Sequence, residues 1–231
     1  MNEKLKILYT SKWDALIKAF EPIHSDEKID IKPANPLLLY VDSEEEYKKA
    51  DIRLMIFGQE TNGWYENEDV TLDAVQKLYN GFFNEGDCWK YGGQFWNGVK
   101  RFKQLLSTKY PNKKVRLIWN NIVKVGKYTD KGFPPDYIYE IERETFNVIP
   151  KEIEILKPNL VLFLTGPNYD GIIKDNFGSL VYNKLPEFTV RQLAKVELQK
   201  GSIAYRTYHP NYLWRNDIDK YFETIINDIE F

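Results

Sequence analysis

The chain has 231 residues, of which 43% are hydrophobic and 29% are charged, and its formal net charge is −2. This length and composition fit one sizeable domain with a substantial core. The near-zero charge gives no whole-molecule attraction to a polyanion. The single cysteine, Cys88, excludes an intramolecular disulfide framework and a multi-cysteine zinc site.

The N-terminal stretch "MNEKLKILYTSKWDALIKAF" carries charges among its apolar residues, so it lacks the uninterrupted apolar core of a signal peptide. No run in the chain approaches the roughly 20 apolar residues that span a bilayer. These features predict a cytoplasmic protein without membrane contact. The apolar residues of the stretch fall mostly on one helical face and predict an amphipathic helix: Leu5, Leu8, Leu16, Ile17 and Phe20.

The segment that follows, "EPIHSDEKIDIKPANPLLLYVDS", contains three prolines and predicts an extended connection. "SEEEYKKA" then predicts a short helix with a solvated charged face. We therefore interpret residues 1–50 as an N-terminal helix and an extended connection that pack onto the domain.

Short, nearly unbroken apolar runs predict strands that are buried on both faces, at Ile52–Gly58, Val115–Asn121, Asn159–Gly166 and Ile203–Tyr208. Helical periodicity lies between and after them, in residues 95–108, 141–156 and 218–229, and Pro150 is expected to kink or split the second of these helices. The stretch Leu185–Leu198 fits a strand, a hairpin or a helical excursion. Strands that alternate with helices predict a parallel sheet. We expect a three-layer α/β/α fold with a central, mainly parallel four-stranded sheet, in a single domain over residues 1–231.

In an open α/β sheet, ligands bind beyond the carboxyl ends of the strands. The residues that leave the four predicted strands are rich in hydrogen-bonding groups: Gly58 to Asn62, then Asn120, Asn121 and Lys124, then Thr165 to Asn168, and finally His209 to Tyr212. Each group has a structural explanation of its own, such as a tight turn or a helix cap. Their expected convergence on one sheet edge favours a functional site.

Several other kinds of site are not supported by the sequence. The two histidines, His24 and His209, are far apart, and no zinc-ligand spacing is present. No Gly-x-Ser-x-Gly elbow follows a strand, and no Gly-rich phosphate loop is found. We therefore predict a site that uses no metal and no cofactor.

Taken together, the four strand ends resemble those of the uracil-DNA glycosylase superfamily. "MIFGQETNGW" is similar to the family's Gly-Gln-Asp-Pro-Tyr-type motif, with Glu60 at the position of the acid. "LIWNNIVKV" is similar to the strand that ends in Leu-Leu-Asn and places Asn120 there. "LVLFLTG" ends in a glycine as the third strand does, and "YHPNYL" resembles the His-Pro-Ser-Pro-Leu-type motif. The resemblance covers most of the chain, from about residue 52 to the C-terminus.

The resemblance implies a monofunctional DNA glycosylase that extrudes a uracil-like or deaminated base and hydrolyses its N-glycosidic bond. Glu60 and His209 would be the catalytic residues. Glu60 would orient or activate water on the sugar side, and His209 would donate a hydrogen bond to the base oxygen. The Asn120 amide would pair with the base edge, and Gln59 would offer a backbone N–H to the same base.

The resemblance also implies a stacking ring and a DNA-binding surface. Phe82 or Phe83 would stack on the base, and Leu213 would occupy the space that the base leaves. The other candidate DNA contacts are Asn211, Thr165, Lys124 and Arg215, with Lys127 and Arg206 as further candidate phosphate contacts. DNA is the expected partner, and the protein is expected to be a monomer.

The sequence departs from the family pattern where Thr61 and Asn62 replace Pro-Tyr and where Tyr212 adds bulk after His209. Two alternatives stay open for this reason. One is a nucleic-acid-binding protein of the same fold without catalytic activity. The other is an enzyme that acts on a free nucleoside or another small molecule, with the aromatic stretch "WKYGGQFW" lining the pocket.

Overall fold

Helices and strands alternate along most of the chain. The computed structural model describes residues 1–64, 70–198 and 202–230. The helices are α1 (Asn2–Ser25), α2 (Glu44–Lys48), α3 (Leu72–Tyr79), α4 (Asp87–Tyr91), α5 (Gly93–Lys109), α6 (Asp136–Thr145), α7 (Ile149–Leu156), α8 (Asp170–Phe177), α9 (Pro210–Leu213) and α10 (Ile218–Asp228). The strands are β1 (Pro33–Pro36), β2 (Ile52–Gly58), β3 (Val115–Asn121), β4 (Val125–Lys127), β5 (Leu160–Phe163), β6 (Tyr182–Lys184), β7 (Leu193–Glu197) and β8 (Ile203–Thr207).

The chain folds into two compact units, each built from three segments. Unit 1 comprises Met1–Asp42, Gln59–Glu85 and Asn121–Leu156. Unit 2 comprises Ser43–Gly58, Gly86–Asn120 and Lys157–Phe231. A single domain over the whole chain stays a prediction.

The main sheet belongs to unit 2. Its described strands are ordered β3-β2-β5-β8-β7-β6. β5 lies between β2 and β8 and is parallel to both. All four residues of β5 are fully buried, as its uninterrupted apolar sequence predicts for a strand covered on both faces.

The structure confirms the predicted α/β class and the four strands expected from the apolar runs, but it corrects the size of the sheet. The ambiguous stretch Leu185–Leu198 contains β7, which pairs antiparallel with β8 on one side and with β6 on the other. The sheet therefore has six strands and is mixed. β6 was missed because it has only three residues and is partly exposed, so no apolar run marks it.

Helices α4, α9 and α10 of unit 2 pack against α5. Residues of α5 contact both α9 and α10. Phe102 of α5 meets Phe222 of α10 edge to face, with 5.2 Å between ring centroids. Arg101 forms a bidentate ion pair with Asp219, at 2.7 and 2.6 Å, on the outer side of the same contact. This packing fixes α5 against the C-terminal part of the chain.

In unit 1, the predicted N-terminal amphipathic helix is confirmed as α1. It buries one stripe of residues, namely Leu5, Tyr9, Leu16, Phe20 and Ile23, and contacts α6 and α7. β1 and β4 form a separate two-stranded antiparallel sheet.

The helical stripe predicted over residues 141–156 is split into two helices, as expected from Pro150. α6 ends at Thr145 and α7 begins at Ile149. Pro150 lies in the first turn of α7, where no N–H donor is needed. No described helix is long and apolar enough to cross a membrane.

A network of charged and polar side chains is buried in the core of unit 1. Lys124 and Glu152 form an ion pair at 2.9 Å, and their side chains are 1% and 0% exposed. The Tyr9 hydroxyl donates to the same Glu152 oxygen at 2.7 Å and accepts from the Leu39 amide at 3.0 Å. Burial is the main cause that lowers the pKa of Lys124 and raises that of Tyr9.

Glu142 closes this network at the start of β4. Its carboxylate oxygens accept the backbone N–H groups of Lys124 and Val125, both at 2.8 Å. Burial raises the pKa of Glu142 to about 7. The two backbone hydrogen bonds and the charge of Lys124 lower it, but the effect of burial is larger. Unit 1 therefore carries a carboxyl group that titrates near neutral pH.

The buried ion pair predicts a strong asymmetry between two lysines of unit 1. Lys124→Met leaves the Glu152 charge buried without its partner, and we expect a loss of about 3–5 kcal/mol in the free energy of unfolding. Lys6→Met is the matched control, because Lys6 pairs with Asp73 and the two side chains are 54% and 68% exposed, and this loss should stay below about 1 kcal/mol. Adding Glu152→Gln to Lys124→Met should recover part of the loss. Equal losses in urea unfolding of the two single variants would contradict the ion-pair argument.

Glu142 predicts a pH dependence of stability. Because its folded-state pKa of about 7 lies above the ordinary value of 4.5, its contribution to stability is complete below pH 4.5 and is lost as the pH rises through 7. Unfolding of the wild-type protein and of Glu142→Gln should be measured between pH 4.5 and 8. In Glu142→Gln, the free energy of unfolding is expected to lack the decrease between pH 4.5 and 7 that the titration of Glu142 causes. Parallel curves for the two proteins would show that Glu142 does not titrate in this range.

Candidate active site

The parallel pairing of unit 2 aligns the carboxyl ends of three strands. Phe57 pairs with Phe163, and Phe163 pairs with Arg206 on the other side. Beyond the end of β5, the backbone N–H of Gly166 donates to the carbonyl of Thr207, the last residue of β8, at 2.9 Å. Three of the four predicted strands, β2, β5 and β8, therefore end at the same edge of the sheet.

His209 lies at this edge, two residues after β8, and forms the N-cap of α9. Its Nδ1 accepts the backbone N–H of Asn211 at 3.1 Å. Its ring stacks on Phe95 of α5, with 5.6 Å between ring centroids and 21° between planes. Burial lowers the pKa of His209 to about 4.

These contacts define the chemical form of the imidazole. With a pKa near 4, His209 is neutral at pH 7. Because Nδ1 is used as an acceptor, the proton of the neutral ring resides on Nε2. We therefore expect His209 to be a neutral Nε2–H donor at pH 7.

An aromatic cluster connects His209 to the end of β3. Beyond its contact with His209, Phe95 meets Trp96 edge to face at 5.2 Å. Trp96 meets Trp119 at 5.0 Å, and Trp89 packs on Trp96 from the other direction at 5.6 Å. Trp119 immediately precedes Asn120, so the cluster joins two of the predicted strand ends within unit 2.

Asn120 itself is fully buried, with 0% of its surface exposed. A base could reach its amide only after the groups that cover Asn120 move. The same holds for Thr165, which is 1% exposed at the end of β5. Recognition of a base by Asn120 therefore requires a change in the structure. His209 is partly exposed and requires no such change.

Of the predicted DNA contacts on and next to α9, two are exposed and one is not. Asn211 and Arg215 are exposed, and the Arg215 Nε donates to the Asn211 carbonyl at 3.1 Å. Leu213 is 0% exposed, because α9 turns it into the core between α5 and α10. Insertion of Leu213 into a DNA duplex would therefore require α9 to move, and it stays a prediction.

Two predicted phosphate contacts are also corrected. Lys124 is buried in unit 1 and paired with Glu152, so its ammonium group does not reach the surface. In unit 2, Arg206 is 1% exposed and forms a bidentate ion pair with Asp170, at 2.9 and 3.1 Å. Both cations neutralise buried or partly buried carboxylates of the protein itself.

The predicted residues of unit 1 lie in two segments. Gln59 and Glu60 are half-buried, and the Gln59 carbonyl accepts the backbone N–H of Val123 at 3.0 Å. Phe82 and Phe83 lie in a π-helical turn, Asn80–Asn84, which continues α3. Phe82 is half-buried and meets Trp64 edge to face at 5.5 Å, whereas Phe83 is 7% exposed and packs on Tyr79 at 5.5 Å. Phe82 thus has the more accessible ring.

The structure gives a partly structural reason for the polar residues after β2. Thr61 approaches β4 so closely that a Cβ on Gly126 would lie 2.3 Å from the Thr61 carbonyl oxygen. Asn62 bridges to Lys127, and the Trp64 carbonyl accepts the backbone N–H of Asn35 at 3.3 Å. Residues 59–64 are therefore held by backbone pairing inside unit 1.

Sequence reasoning missed the stacking of Phe95 on His209. Phe95 was placed on the apolar stripe of a helix, and no local pattern shows which distant side chain such a residue contacts. Among the described residues, no group of three or more His, Cys, Asp or Glu side chains is placed to hold a metal ion. No protein-family model matches the chain, and no curated protein sequence matches it.

The contacts of His209 predict its titration and tautomer. The sequence contains two histidines, so His24→Gln leaves the signals of His209 alone in an imidazole NMR spectrum. We expect a pKa near 4 and the Nε2–H tautomer at pH 7. Since the pKa is lowered, the stability that neutral His209 contributes is complete above pH 6.5 and is lost as the pH falls towards 4. A measured value near 6.5 would show that the ring is hydrated.

Proposed function

We propose that the chain is a DNA glycosylase-like hydrolase, a divergent member of the uracil-DNA glycosylase superfamily, which cleaves the N-glycosidic bond of an extruded uracil-like or deaminated base. The observation that supports this proposal is the place of His209: its ring stacks on Phe95 at the sheet edge where α/β proteins bind ligands, and its Nδ1 accepts the Asn211 N–H, which leaves Nε2 as the donor. Such a donor can form a hydrogen bond to the base oxygen as negative charge develops on it, without transferring its proton to the bound base beforehand.

In the proposed reaction, the bond between the sugar C1′ and the base nitrogen breaks, and the base leaves with the electron pair. Water adds to the sugar cation and releases a proton, and the departing base ends up protonated. His209 would donate its Nε2–H to the base oxygen as the anion forms. A neutral donor stabilises this charge by a hydrogen bond that strengthens in the transition state.

The family resemblance gives Glu60 the role of orienting or activating the water. Glu60 follows the carboxyl end of β2 by two residues, which is the position of the acid in the family motif. Its side chain is one methylene longer than aspartate. Asn120 would select the base through its amide and, being fully buried, would do so after the groups that cover it move.

Excision from oligonucleotides tests the proposal. Single- and double-stranded DNA with one uracil, hypoxanthine or xanthine should be incubated with the protein, and abasic sites should be cleaved with alkali. We expect strand scission for at least one base. His209→Asn should lower the chemical step by about 10²–10³-fold, Glu60→Gln by about 10²–10⁴-fold, and Asn120→Asp should alter the choice of base more than the rate.

Matched controls are available for both catalytic variants. Glu140→Gln removes an exposed carboxylate of α6, and His24→Gln removes the other histidine. Both should retain wild-type activity. The glycosylase proposal fails if stoichiometric protein gives no scission on any of the substrates, or if Glu60→Gln and His209→Asn are as active as the controls.

A second function is favoured by one observation. Lys124 and Arg206 are both about 1% exposed, which leaves fewer cations for a DNA backbone than the sequence indicated. An enzyme on a free nucleoside would use His209 and the aromatic cluster of unit 2 without a DNA groove. Release of base from free deoxyuridine faster than from the uracil oligonucleotide would select this function. Oligonucleotide binding that is unchanged in Glu60→Gln, without release of base, would select a non-catalytic binding protein.

A further inference from the structure

Helix α5 contacts the segment that carries His209 through residues spaced along one helix face. Phe95 stacks on the imidazole, with 5.6 Å between ring centroids. Gly98, one turn later, lies against Pro210, and a Cβ at this position would be only 2.6 Å from the Cβ of Pro210. Residues three positions apart on a helix lie on the same face. This face of α5 therefore contacts two consecutive residues, His209 and Pro210.

A third contact fixes the far end of α9. The indole N–H of Trp214 donates to the carbonyl of Gln94 at 3.1 Å. Gln94 lies in the first turn of α5, next to Phe95. The short helix α9 is thereby held against α5 at its beginning by packing and at its end by a hydrogen bond.

We propose that Phe95 and Gly98 of α5 are the positioning residues of His209, which hold its ring in the observed orientation with one face covered and so favour the neutral Nε2–H donor. Phe95 acts by covering one face of the imidazole. Gly98 acts by letting the backbone of α5 approach Pro210, so that His209 reaches Phe95. The positioning stands on its own, whereas its catalytic consequence rests on the proposed glycosylase function.

The contact with Phe95 limits the freedom of the ring in two ways. A flat ring stacked at 21° restricts rotation of the imidazole about its own axis, since a large rotation would turn its edge into the phenyl ring. The stack also removes water from that face, and water is what stabilises the imidazolium ion. The hydrogen bond from Asn211 to Nδ1 then selects the tautomer of the ring that Phe95 holds.

The role of Gly98 is steric. Any side chain at this position must displace Pro210 or the helix backbone, because a separation of 2.6 Å is far below a carbon–carbon contact distance. Alanine is a better helix former than glycine, so Gly98→Ala does not weaken α5 by itself. The change therefore moves His209 away from Phe95 without removing any group that contacts the imidazole.

The test measures the imidazole directly by NMR in a His24→Gln background. Phe95→Ala and Gly98→Ala should both raise the pKa of His209 from about 4 towards 6.5 and weaken the preference for the Nε2–H tautomer. Phe95→Tyr keeps the stacked ring and should keep the wild-type values. Trp89→Ala is the matched control, because it removes a half-exposed ring that packs on Trp96 in the same cluster.

Phe95 is half-buried, so its truncation is expected to leave the fold intact. If Phe95→Ala does not fold, Phe95→Leu takes its place, since leucine is apolar but offers no flat face. The proposal is overturned if the folded Phe95 variant and Gly98→Ala leave the pKa and tautomer of His209 unchanged. It is equally overturned if Trp89→Ala shifts them as much as Phe95→Ala does.

The activity assay separates this proposal from the glycosylase function. If the protein excises a base, Phe95→Ala should lower kcat by more than 10-fold at nearly unchanged KM, and Phe95→Tyr should restore it. If no base is excised but the NMR shifts follow the pattern above, the positioning is supported and the glycosylase function fails. Excision by Phe95→Ala at the wild-type rate, with an unchanged His209, rejects the positioning alone.

Discussion

The parallel pairing of β5 with β2 and β8 is the constraint on which the candidate site depends. β5 is buried along its whole length, so its register with both neighbours is fixed by apolar packing on both faces of the sheet. Parallel neighbours must end at the same edge. His209 follows β8 by two residues, and its place at this edge is therefore a consequence of strand packing and requires no special loop structure.

The environment of His209 is created by aromatic packing and not by charge. Burial is the cause of its lowered pKa, and its neighbours in the structure are Phe95 and, through it, Trp96 and Trp119. A protein that needs a cationic histidine places a carboxylate beside it. His209 is half-buried, and its packing against aromatic rings instead favours a neutral donor. The site and the core of unit 2 thus share the same aromatic residues.

Unlike His209, which packs against aromatic rings, the buried cations Lys124 and Arg206 are paired with carboxylates. Lys124 neutralises Glu152 inside unit 1, and Arg206 neutralises Asp170 while it also donates to the carbonyls of Arg191 and Val190. Such pairs contribute little net stability when formed, yet removing one partner is costly. Their effect is to fix the geometry of the segments around them, which in unit 1 includes the start of β4 and the backbone at Leu37 and Leu39, near the end of the extended segment after α1.

The sequence by itself determined the local elements: the apolar runs of β2, β3, β5 and β8, the stripe of α1, the division of α6 from α7 at Pro150, and the polar residues that leave the strands. These follow from periodicity and backbone chemistry within a few residues. Only the tertiary structure decided which polar groups are buried and what they contact. Lys124 and Arg215 are both cations that follow predicted strands, and the sequence does not distinguish their exposure. In the structure, Lys124 is buried and Arg215 is exposed. Phe95 looks like any helical core residue until α5 meets the segment after β8. The physical reason is that burial and stacking depend on partners distant in the chain, which local pattern does not specify.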